Sequence, residues 1–146
     1  MPINTKNDDL SNIEKEDVRV LFETIIVKYQ GTFLKEDFEL LKGNIELISG
    51  SKKNVLRELT FYLNAIILYL KLNQCRHFLN KGEIRLLAAL RYFIEIDDIL
   101  PDYGDRGYCD DMYCVNYALS KQSKLIKEKI ERSAAALRKK DEERVI

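Results

Sequence analysis

From Val55 to about Phe78 the chain is apolar around most of a helix circumference, and this segment restricts the possible folds more than any other. Leu56, Leu59, Leu63, Ile66, Ile67 and Leu70 spread over several sides once wound at about 100° per residue, with Tyr62 and Tyr69 among them. A helix that is apolar all round is buried, either in a protein core or in a membrane. The most apolar run, Phe61–Leu70, is about half of the ~20 residues a membrane span needs. It contains Asn64, and Lys71 follows it directly. The segment therefore reads as the central helix of a bundle, with no transmembrane segment.

The remaining segments supply helices to surround it. "SNIE", Ser11 to Glu14, has the spacing of a capping box, and Ile13, Val20, Leu21, Thr24, Ile25 and Lys28 follow near one helical face, with Gly31 where a C-terminal glycine belongs. Thr32 can cap a second helix, whose stripe is Leu34, Phe38, Leu41, Ile45 and Ile48. Gly43 weakens that helix by roughly 1 kcal/mol relative to alanine. "SGSKKN" and "LNKGE" punctuate on either side of the central helix, and Glu83–Ile96 forms another buried one. A last helix is expected from about Asp110 into the charged end, its stripe thinning through Leu119, Leu125, Ile126, Ile130 and Leu137. Strand-period alternation and fixed-period repeats are both missing. The expectation is an all-α chain, a single bundle of about five helices over 11–137, with a flexible tail at 1–10 and a charged tail at 138–146.

Charge and cysteine usage narrow the function classes. Lys plus Arg and Asp plus Glu are both 24, so no global charge argues for nucleic acid. The balance alternates along the chain: 6 basic and 10 acidic side chains in 1–50, 8 and 3 in 51–96, 1 and 6 in 97–111, 9 and 5 in 112–146. Blocks of this kind can pair within a fold, with Arg85 and Arg91 well placed to meet acidic partners from the 97–111 connection. The three cysteines (Cys75, Cys109, Cys114) make no disulfide framework and suit a reducing compartment. "MPINTKNDDLSNIEKED" lacks the order of a secretory signal, so a cytoplasmic location is expected. With His77 the cysteines form a nominal zinc or nucleophile set, but at spacings foreign to zinc sites. Phosphate-binding, serine-hydrolase and dinucleotide fingerprints are missing.

The connection "IDDILPDYGDRGYCDDMYC" holds six aspartates. Several have local work to do. Pro101 ends the preceding helix, and Gly104 and Gly107 permit a tight turn. Asp110 or Asp111 can cap the next helix, and Asp98 or Asp102 can tie loop amides. A cation is the functional alternative: Asp98, Asp102, Asp110 and Asp111 are hard oxygen ligands suited to Mg²⁺, Mn²⁺ or Ca²⁺, although the spacing is not that of an EF-hand.

The stretch Ala89–Leu119 resembles the YkvA-like family, small helical domains of unknown function with an apolar helix, Asp-x-Ile-Pro-Asp, a short loop, Gly-Tyr-x-Asp-Asp and another apolar helix. Asp98, Pro101 and Asp102 match the first part, and Gly107, Tyr108, Asp110 and Asp111 the second. The resemblance implies a helical corner and, for some members, proximity to membranes. The polar Gly104-Asp105-Arg106 piece argues against peripheral membrane contact here. The sequence therefore favours a non-catalytic interaction module without a cofactor. Its acidic corner, Asp98, Asp102, Asp105, Tyr108, Asp110 and Asp111, would face a protein partner or a second copy. The alternative is a divalent-metal-binding protein or metal-dependent hydrolase built on the same aspartates.

Overall fold

The computed structural model describes residues 10–30, 32–49, 54–72, 80–95 and 108–144. Gly31, Cys75, His77, Asp98, Pro101, Asp102, Gly104, Asp105 and Gly107 lie outside the described residues, as do the expected N-terminal tail at 1–9 and the last two residues of the chain. Among the described residues there are six helices and no strand: α1 (Asn12–Tyr29), α2 (Lys35–Ile48), α3 (Asn54–Leu70), α4 (Lys81–Ile94), α5 (Cys109–Ser120) and α6 (Lys124–Arg144).

Helix α3 is central, as its composition dictates. It packs against α2, α4, α5 and α6, and Leu59, Leu63, Ala65, Ile66 and Leu70 are wholly shielded from solvent. From Leu86 to Ile94 every residue of α4 is buried, because α1, α2, α3 and α5 all lie against it. One apolar cluster draws side chains from all six helices.

Local signals set the helix ends. Glu14 N–H donates to Ser11 Oγ (3.2 Å), and Ser11 N–H donates to the Glu14 carboxylate (2.9 Å), which is the expected capping box. Asn80 and Glu83 form a second one at the start of α4 (2.8 and 3.2 Å), within the segment "LNKGE" that punctuates the sequence. Helix α1 closes on Gln30 in the left-handed region at φ 48°. The cap position of α2 is Leu34, not Thr32, and Asp37 accepts the Leu34 N–H there at 2.9 Å.

Two expectations are corrected. The last helix is two helices, separated at Lys121–Ser123. Ser123 Oγ accepts the Ile126 N–H (3.3 Å) to open α6, and the Gln122 side-chain amide donates to Gly82 O (3.0 Å) and Ala118 O (3.2 Å), pinning the corner to α4. The charged segment from Arg138 onward continues α6 to Arg144. It is held to α3 by Arg138 Nη2 on Glu58 at 2.6 Å and Arg57 near Asp141 at 3.5 Å.

Helix α1 turns a different face inward from the one expected. Its buried face is Val18, Phe22 and Ile25, packed on α4 and α5. Of the residues expected to share the inner face, Ile13 (77% exposed), Val20 (59%), Thr24 and Lys28 point outward.

Candidate functional site

The described part of the acidic corner begins at Tyr108, whose backbone takes the left-handed conformation (φ 70°) and opens α5. Its ring lies 6.0 Å from that of Phe93. Asp110 and Asp111 occupy the first turn, where the positive end of the helix favours a carboxylate. Both are buried, at 0% and 1% exposure. Asp110 Oδ1 accepts the Asp111 N–H at 3.0 Å, but the cap position is Tyr108, which has no side-chain cap bond, so the aspartates lie within the first turn and neither is the cap the sequence suggested. Its other oxygen accepts from the fully buried Tyr92 hydroxyl at 2.9 Å. This joins α4 to α5 through a shielded, charge-assisted bond. The two carboxylates therefore face inward and are not displayed to a partner. Among the described residues no three His, Cys, Asp or Glu side chains converge as metal ligands would.

A second polar centre went unrecognised in the sequence. Arg91, 6% exposed, donates to both carboxylate oxygens of Asp37 (3.1 and 2.9 Å) and to Thr32 O (3.1 Å). Its guanidinium lies 4.0 Å from the Tyr29 ring centroid and 5.1 Å from that of Phe33. Tyr29 in turn donates to Glu95 at 2.9 Å. The hydrogen bond from Arg91 holds the Asp37 carboxyl below its usual range, with the Leu34 N–H adding to the effect against burial. Arg91 was expected to meet the connection; its described partner comes from α2. The cavity beside it encloses only about 10 Å³, too little for a ligand. This cluster clamps the α1–α2 connection onto α4.

The outward side of α1 combines apolar exposure with a groove. Ile13, Val20 and Val27 are 77%, 59% and 69% exposed and recur every seven residues. They lie opposite the buried face, because about 100° per residue places Val20 some 200° from Val18. An open groove of about 660 Å³ runs along this side, lined by Glu16, Arg19, Val20, Glu23, Thr24, Val27 and Lys28 with Tyr117 of α5 as its wall. Arg19 crosses the edge to donate to Glu16 (2.5 Å) and the Tyr113 hydroxyl (3.3 Å).

Of the sequence-derived candidates, the structure brings Tyr108, Asp110 and Asp111 together at one helix end; Asp98, Asp102 and Asp105 lie outside the described residues. The missed signal was a second apolar stripe on α1 at heptad spacing. No family model, curated protein or solved structure matches this chain. No helix of the described residues is long and apolar enough to cross a membrane.

Proposed function

We propose that this protein is a non-catalytic interaction module, and that its docking face is the outward side of α1 rather than the carboxylates at 110 and 111. One observation carries the reading: α1 has aliphatic residues on two opposite sides, and the bundle covers only one of them. A surface helix normally turns charged and polar residues to water, and an aliphatic ridge left outside calls for a second partner. The described part of the corner, at Asp110 and Asp111, is buried and carries no comparable surface. Tyr92 and the first turn of α5 engage Asp110 internally. Kinship with the YkvA-like family is part of the proposal and lends no activity, since that family has none settled.

The test is quantitative affinity capture with wild type and an Ile13→Ser/Val20→Ser/Val27→Ser variant. All three side chains are exposed, so the variant should melt within a few degrees of wild type while losing its bound partner. A cation panel tests the metal-dependent alternative. If Mg²⁺, Mn²⁺ or Ca²⁺ raised the melting temperature of wild type but not of Asp111→Asn, mass action would assign a metal site and the interaction reading would give way.

A further inference from the structure

Charge around the α1 ridge points to what covers it. Of the basic residues of α1, Lys15 and Arg19 lean toward Tyr113, whereas Lys28 is exposed and, with Arg19, lines the groove. The Lys15 ammonium sits 5.9 Å from the Tyr113 ring centroid, Arg19 is held by Glu16 and Tyr113, and the Lys28 ammonium is 5.1 Å from the Tyr29 ring centroid. Asp17 and Glu23 are exposed and form no ion pair among the described residues. Three residues before and three after Val20, they lie about 60° to either side of the ridge and ~9 Å apart along the axis. At Val20 the ridge is therefore flanked on each side by one carboxylate that makes no ion pair among the described residues, with the exposed Lys28 beside its far end at Val27.

The spacing of the ridge fits a helix as its partner. Side chains seven residues apart form a line nearly parallel to a helix axis, ~21 Å long from Ile13 to Val27, with Glu16, Asp17, Glu23 and Thr24 between them, and a second helix lying along that line meets both the aliphatic and the acidic side chains. The stiff branched side chains of Ile13, Val20 and Val27 keep that line in place at little further entropic cost. An α1 helix from a second copy would bring the same carboxylates, and like charges set against each other select against that pairing. An anionic lipid surface would be repelled for the same reason. On the interaction-module reading proposed above, we infer that the α1 ridge docks an α-helix of another protein whose aliphatic stripe is bordered by lysine or arginine, with Asp17 and Glu23 as the specificity residues.

The test uses the full chain and two labelled helical peptides of ~21 residues with identical leucine and isoleucine stripes, one bordered by lysine and one by glutamate. Binding is read by fluorescence anisotropy at low and high salt. The lysine-bordered peptide should bind at least about tenfold more tightly, with the advantage shrinking as salt screens the flanks. Val20→Ser should remove binding, and Asp17→Lys/Glu23→Lys should reverse the preference. If both peptides bound equally and Val20→Ser released both, the docking face would stand and the basic-partner inference would fall. Sedimentation of the chain as a concentration-dependent dimer broken by Val20→Ser, with neither peptide bound, would put a second copy on the ridge and overturn the inference. If neither peptide bound and Val20→Ser changed no association, the inference and the interaction reading would fall together.

Discussion

At the scale of single residues, the most consequential contact is the bond from Tyr92 to Asp110, because both groups are removed from water. A buried charge is tolerated only while its oxygens are satisfied. Tyr92→Phe deletes the donor and keeps the ring, so it should destabilise the fold by about 1.5–3 kcal/mol, the range for hydrogen bonds to charged groups, read by urea denaturation. Tyr113→Phe, whose hydroxyl takes a 3.3 Å bond from Arg19 at the surface edge, should cost less. The Arg91–Asp37 pair gives a pH dependence. Because Asp37 has a depressed carboxyl pKa in the fold, its contribution is present above the unfolded value near ~4 and is lost as pH falls through the lower folded value. Asp37→Asn should remove that part of the acid slope and also destabilise the protein at neutral pH. That two adjacent aspartates serve a helix start was legible from their place after Gly107-Tyr108. Their burial was not, because it depends on a tyrosine 18 residues earlier whose hydroxyl could have pointed to solvent. Nor did local sequence single out Asp37 as the partner of Arg91 across 54 residues.

At the scale of elements, helical period identified the helical segments but ran α5 and α6 together, and it could not always choose an inner face. On α1, both Ile13-Val20-Val27 and Val18-Phe22-Ile25 are regular stripes, and period alone favours neither. What separates them is Phe22, whose ring meets Tyr117 edge-on at 5.5 Å and fixes α1 against α5. The split between α5 and α6 was hidden for a different reason. No glycine or proline marks "SKQS", and the corner is made by a serine cap and the bonds of Gln122 to Gly82 and Ala118. Gly43 shows the reverse case, a helix breaker overridden by its neighbours. Leu41 and Ile45 bury on either side of it, and α2 runs through it unbroken. A Cβ at Gly43 would meet nothing within 4 Å, so Gly43→Ala should stabilise the protein by about 0.5–1 kcal/mol by restricting the unfolded chain. A rise in the thermal midpoint would support this, and a fall would mean that α2 needs the flexibility there.

At the scale of the whole molecule, alternating charge blocks suggested that the basic 51–96 region would answer the acidic connection. The described ion pairs run elsewhere: Arg91 to Asp37, Arg138 to Glu58, Arg57 to Asp141. Block charge shows that pairing is available, whereas packing decides which groups meet. Two of these pairs join α6 to α3 beside Tyr62, whose hydroxyl is pushed up to about 12 by burial and by Glu131 and Glu58. They tie a helix with a largely polar sequence to the central one. Helix α6 adds Ile130 and Ala134 to the buried set, with Ile126 and Leu137 packed partly buried against the cluster, and its most extensive packing is on α3. Its attachment must therefore follow the integrity of α3. Removing methylenes from Ile66, wholly buried on α3, leaves a cavity in the cluster shared by all six helices. Ile66→Ala should cost about 2–5 kcal/mol. The discriminating measurement is whether loss of helical circular dichroism and loss of tyrosine fluorescence coincide in urea. With one core the two curves should superimpose in wild type and shift together in the variant. If the helical signal were lost first in the variant, α6 would be leaving before the core opened, and the electrostatic ties from Arg57 and Arg138 would be too weak to couple it to the rest.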